Sequence, residues 1–167
     1  MHKTFGYAAA MPDMLVKLYE LPPTPAVDGV TIRPARAFEI SATRDFIRQH
    51  FDVRWADEAT AGFAHMPATT LLATIKTGEH AMIVGFACFD CTTRGFFGPT
   101  GVDPAHRNRG IGRALLLETL DAMHRAGYAY AIIGGAGPTK FYEDACGAVA
   151  IEGSEPGIYT DMLSSED

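Results

Sequence analysis

The sequence predicts an α/β (α+β) domain, a mixed β-sheet of about six to seven strands flanked by about four helices. Short β-branched and apolar runs alternate with segments of helical periodicity along the whole chain. Residues 69–76 and 81–90 are two such runs joined across Thr77-Gly78-Glu79-His80, which reads as a hairpin. The apolar run 128–133 follows a leucine-rich helical segment, as expected of a central parallel strand.

The elements follow in order. Residues 1–28 form an N-terminal extension and 29–167 the domain proper. Within the extension, 14–21 reads as a strand or a helix, and Pro22-Pro23-Thr24-Pro25 as an extended linker. This segment packs either on the domain or on a second copy of the chain, which leaves a homodimer open. Residues 29–33 make a first strand ended by Pro34. The segment 36–50 is helical, with Phe38, Ala42, Phe46 and Ile47 near helical spacing and Arg44, Arg48 and Gln49 opposite. A shorter helix over 55–66 stops at Pro67. In the strand 96–102, Pro99 cannot donate to a ladder, so the strand bulges at Gly98-Pro99 or faces an unpaired edge. The main helix, 110–126, buries Leu116, Leu117, Leu120 and Met123, exposes Glu118, Asp121 and Arg125, and ends at Gly127. Residues 138–146 make a short helix with Pro138 in its first turn. The runs 148–151 and 158–162 complete the sheet.

At 167 residues and 47% apolar content, the chain can bury a core without covalent staples. A net charge of −6 argues against nucleic acid as a partner. The positive charge is local, because three of the fourteen Lys and Arg residues fall between Arg107 and Arg113. No apolar run approaches the roughly 18 residues of a membrane span, and Ala8-Ala9-Ala10-Met11 is too short for a secretory core, so a cytoplasmic protein is expected. Cys88, Cys91 and Cys146 are an odd set. Cys88-x-x-Cys91 lacks the second ligand pair of a zinc site, and no metal is expected.

One stretch carries chemistry. After 96–102 the chain runs through Arg107-Asn108-Arg109-Gly110-Ile111-Gly112-Arg113 into the leucine-rich helix. Amides in a first helical turn lack intrahelical partners, and the macrodipole favours an anion there. Guanidinium forks suit phosphate oxygens, and glycines let an anion approach the backbone. A dinucleotide fingerprint would need a third glycine where Leu115 stands. Gly134-Gly135-Ala136-Gly137-Pro138-Thr139-Lys140 fails as a phosphate loop because Thr139 precedes Lys140.

Arg107-x-x-Gly110-x-Gly112 resembles the Arg/Gln-x-x-Gly-x-Gly/Ala signature of the Gcn5-related N-acetyltransferase (GNAT) superfamily. The strand at 96–102, the strand at 128–134 and the segment Phe141-Tyr142-Glu143-Asp144-Ala145-Cys146-Gly147-Ala148 extend the resemblance over the C-terminal half, from about residue 68. It implies a splayed sheet, with acetyl-CoA as cosubstrate on Gly101, Val102, Arg107, Asn108, Arg109, Gly110, Ile111, Gly112 and Arg113. It also implies acetyl transfer to a primary amine by direct attack on the thioester, with Tyr142 assisting the departing thiolate. A small-molecule amine is the expected acceptor. A peptide or protein amine, or a noncatalytic acyl-CoA sensor, stands as the alternative.

Many relatives carry a glutamate on the bulged strand, but Phe96, Phe97, Thr100 and Val102 offer no carboxylate. Glu58, with its neighbour Asp57, is the expected replacement as base, ahead of Asp90 and His65. Trp55, Phe96 and Phe97 are candidates for an apolar acceptor pocket.

Overall fold

The computed structural model describes residues 11–164. The strands are β1 (Met14–Lys17), β2 (Val30–Pro34), β3 (Thr70–Thr77), β4 (His80–Phe89), β5 (Phe96–Val102), β6 (Tyr130–Ile133) and β7 (Val149–Ala150). The helices are α1 (Ile40–His50), α2 (Val53–Ala61), α3 (Ile111–Arg125) and α4 (Thr139–Cys146). One mixed sheet runs in the order β2-β3-β4-β5-β6-β1-β7, so seven strands and four helices meet the expected architecture.

The sheet separates two cores. On one face, Phe46 and Ile47 of α1 and Ala56 and Ala59 of α2 pack with Leu72, Phe86 and Cys88. On the other, α3 and α4 cover Leu71, Ala73, Val84 and Ala87. Because successive strand residues point to opposite faces, Leu71 and Leu72 of β3 feed different cores. Helix α3 is apolar on more than a stripe: Ile111, Ala114, Leu115, Leu116, Leu117, Leu120 and Met123 are all buried. Its solvated side carries Arg125, paired with Glu118 and Asp121 as expected.

The hairpin forms, with Thr77 opposite His80 and Gly78 at φ +65. Helix α1 differs from expectation. A 3-10 turn over Ala37–Glu39 precedes it, and its different residues-per-turn rotates the entry, so Phe38 is 80% exposed; Ala42, inside α1, is exposed as well. The buried face is Thr43, Phe46 and Ile47. Residues 158–162 form no strand; β7 ends the sheet as a two-residue strand.

Residues 14–17 lie inside the sheet. β1 pairs antiparallel with β6, Met14 opposite Ile133, and on its other side with β7, Met14 opposite Ala150. Its alternation is complete: Met14 and Val16 are 0% exposed, while Leu15 and Lys17 face outward.

Candidate functional site

The strand expected to bulge does so. Ala87 faces Thr100 and Phe89 faces Phe97, so Cys88 on β4 opposes both Gly98 and Pro99, with Gly98 at φ +116. β5 pairs with β6 only at Phe96 and Phe97, opposite Ile132 and Ile133. Beyond that point Gly98–Val102 pairs with β4 alone and the sheet splits. Gly101 is fixed by packing, since a Cβ there would lie 2.5 Å from the Phe51 ring. Phe51 in turn stacks on Trp55, ring centroids 5.7 Å apart, and meets Phe86 edge-on.

Val102 leads into the arginine turn. Asp103 caps a short 3-10 turn by accepting from Ala105 N, and this backbone hydrogen bond, ahead of nearby His106, holds its carboxyl below the usual range. Asn108 and Gly110 both have positive φ, +62 and +81, and Gly110 caps α3. Open space surrounds a hypothetical Cβ on Gly110, so glycine is favoured there by backbone conformation rather than by crowding. The helix bonding of α3 starts with Ala114 N donating to Gly110 O, which leaves the amides of Ile111, Gly112 and Arg113 as its unpartnered first turn. Arg107, Arg109 and Arg113 are exposed, and none pairs with a carboxylate among the described residues. Arg107 Nε donates to Val102 O at 3.2 Å, which ties the first arginine to the end of β5. All nine residues expected to bind the cosubstrate therefore lie along one continuous path, from the split in the sheet to the helix mouth.

A cavity of about 360 Å³ opens at the split, within the ~300–1,000 Å³ range typical of small-molecule sites. Trp55 and Glu58 of α2, Phe97 to Pro99 of β5, and Gly134 and Gly135 after β6 line it, with Thr92, Met11, Pro156 and Tyr159. Of the expected aromatic walls, Trp55 and Phe97 line it and Phe96 does not. Glu58 projects from α2, which Asp52 caps by accepting from Arg54 N at 2.7 Å. The Thr92 hydroxyl donates to Glu58 Oε2 at 2.7 Å. Burial pushes the Glu58 carboxyl above the usual range; the Thr92 hydrogen bond opposes this and Asp52 reinforces it. Asp57, one residue away, is exposed and outside the cavity.

Tyr142 stands one ring away from these walls. It is 7% exposed on α4, and its ring meets Phe97 edge-on at 6.5 Å. Among the described residues its hydroxyl has no hydrogen-bond partner. Burial raises its phenol to about 12.

The weaker base candidates lie elsewhere. Asp90 accepts from the Tyr128 hydroxyl on both oxygens and from Gly95 N, which anchors the turn between β4 and β5. Together with His65 it borders a separate surface depression. Cys88 and Cys91 share contacts with Thr70 Oγ1, and no group of three or more metal-ligating side chains exists among the described residues.

Several walls escaped the sequence reading. Asp13, 6% exposed, accepts from Gly135 N at 2.8 Å through Oδ1 and so ties the N-terminal strand to the cavity floor. Its own amide donates to Ser154 Oγ, which holds the segment that carries Pro156 and Tyr159. The only local trace of this arrangement is a buried-type alternation beginning at Met14.

These features define a mixed α/β fold with an arginine-rich helix mouth, its first-turn amides unpartnered, beside a split sheet. The chain belongs to the acetyltransferase (GNAT) family, whose model matches residues 37–148. A GCN5-related N-acetyltransferase from Sphaerobacter thermophilus is 25% identical with a TM-score of 0.68, covering 85% of this chain and 48% of its own. One from Kribbella flavida is 20% identical with a TM-score of 0.63, covering 86% and 55%. A GNAT family acetyltransferase from Brucella melitensis, solved in complex with acetyl-CoA, is 22% identical with a TM-score of 0.50, covering 68% and 80%. This chain spans about half the length of the Sphaerobacter and Kribbella proteins. No curated protein matches it. No helix among the described residues is long and apolar enough to cross a membrane.

Proposed function

We propose that this chain is an acetyl-CoA-dependent N-acetyltransferase acting on a primary amine of a small molecule. One observation carries the reading. An unpaired cationic helix mouth and a cavity holding a half-buried carboxylate lie at the two ends of one bulged strand. The free amides of Ile111 to Arg113 and the three arginines fit a diphosphate, and the unpaired edge of Gly98–Val102 fits an extended amide-bearing arm. Bound acetyl-CoA would supply an activated thioester carbonyl. The chain's own residues do the rest.

Glu58 accepts a proton from the incoming ammonium. In water the two groups differ by about six pK units, and burial narrows that gap by raising the carboxylate and lowering the amine. A sensor that merely held acyl-CoA would have no use for such a group, which favours the enzyme over the noncatalytic reading.

Tyr142 donates a hydrogen bond to the departing sulfur without giving up its proton. With the phenol at about 12 and a thiol near 8.5, full transfer would be uphill by about 5 kcal/mol. Tyr142→Phe is expected to lower kcat by about ten- to a hundredfold, the loss of one hydrogen bond to a developing charge, and to leave acetyl-CoA affinity unchanged. Because Tyr142 stays protonated, the wild-type rate should show no alkaline fall across the assayable range. An alkaline limb that disappears in Tyr142→Phe would assign the residue a true acid role instead.

Arg107→Ala with Arg109→Ala is expected to weaken acetyl-CoA binding about ten- to a hundredfold in calorimetry. Unchanged affinity would move the cosubstrate off the helix mouth. Release of free thiol from acetyl-CoA across a panel of amines tests the function as a whole; binding without turnover on every amine would favour the sensor.

A further inference from the structure

The cavity walls narrow the acceptor further, on the assumption that the transferase reading holds. Among the described residues that line the cavity, Glu58 is the only Asp, Glu, Lys, Arg or His. Trp55, Phe97, Pro99, Pro156 and Met11 present carbon, and the Thr92 hydroxyl is already committed to Glu58. We propose that the acceptor is a monoamine: one ammonium on an apolar body of aromatic size, with no second charge and few hydroxyls.

Each alternative meets a specific obstacle in these walls. A carboxylate or phosphate on the acceptor would meet no cation among the described lining residues and a carboxylate already present, so its desolvation would go uncompensated. A second ammonium would compete with the first for Glu58. A polyhydroxylated ring would press its hydroxyls on Trp55 and Pro99 with few partners to satisfy them. An apolar ring meets none of these costs. It gains the indole of Trp55, which Phe51 holds in place by stacking behind it at 5.7 Å. The floor also limits size. At Gly134 a Cβ would collide with the Tyr159 hydroxyl, so the loop after β6 and the 156–159 segment close tightly on one another.

The test is initial-rate thiol release with acetyl-CoA and the full chain, comparing 2-phenylethylamine with spermidine, glutamate, glucosamine and a lysine-containing peptide. The expected kcat/KM for 2-phenylethylamine exceeds each of the others by about a hundredfold. If any of those four matches it, the monoamine proposal is overturned while the transferase reading survives. If acetyl-CoA binds but no amine is turned over, both fall together.

A second variant tests the charge argument directly. Pro156 is exposed and lines the cavity, so Pro156→Arg adds a cation to the wall. The preference for 2-phenylethylamine over phenylalanine, which differ by one carboxylate, should fall by about tenfold. An unaltered ratio in a folded Pro156→Arg would mean that the missing lining cation does not set the choice of acceptor.

Discussion

Glu58→Gln is expected to lower kcat/KM by about 10²–10³, the usual scale of a positioned general base, while leaving the protein folded and acetyl-CoA affinity intact. Glutamine keeps the shape and can still accept from the Thr92 hydroxyl, but it cannot take a proton. In the wild type, activity should rise with pH as Glu58 ionises, on a limb displaced above the ordinary glutamate value of about 4.3 because burial raises it. That limb should be missing from Glu58→Gln.

Stability should move the other way. A carboxyl raised in the folded state gives a contribution fully present below its unfolded pKa and lost as pH rises through the folded one. The neutral variant escapes this loss. Its Tm should equal or exceed that of the wild type near about pH 8, with the difference closing toward about pH 4. Activity and stability lost together would identify Glu58 as a structural residue.

The parts of this site differ in how openly the sequence displays them. The path proposed for the cosubstrate is legible as structure because it is contiguous: bulge, arginine turn and helix mouth follow one another from Gly98 to Arg113, and each is set by local chemistry. Proline lacks a donor, glycine takes positive φ, and the first amides of a helix have no partners. The cavity was half legible. Glu58, Trp55 and Phe97 could be nominated by residue type, but Asp57 and Phe96 were equally eligible until the helix and strand faces were fixed.

Met11, Thr92, Pro156 and Tyr159 carry no local signal, because they join the cavity only through contacts between distant segments. The exposed Phe38 has a different cause. Its helical spacing with Phe46 is real in sequence, but the 3-10 turn before α1 changes the angle per residue and turns the ring outward.

The second large effect concerns β1. Four residues near the N-terminus held between β6 and β7 give a sharp test, because the two faces of that strand make opposite predictions. Val16 is 0% exposed and Leu15 is 37% exposed, one residue apart. Val16→Asp places a carboxylate in the α3 core with no cation to meet it, at a cost of several kcal/mol against a total stability of ~5–15 kcal/mol for a domain. The variant should be insoluble or lack a cooperative thermal transition. Leu15→Asp, on the outward face opposite Ile132 and Val149, should cost about 1 kcal/mol or less and fold normally.

Equal tolerance of both would mean that β1 is a detachable addition, and the cavity would then have to form without it. That outcome is hard to reconcile with Asp13, whose carboxylate holds the Gly135 amide at 2.8 Å immediately before the strand begins. The same segment that fills the sheet also fixes the floor of the cavity at the split. A weaker core substitution such as Val16→Ala, costing about 1–2 kcal/mol, should therefore raise the KM for the amine more than the Kd for acetyl-CoA, whose helix mouth lies on the other side of the split.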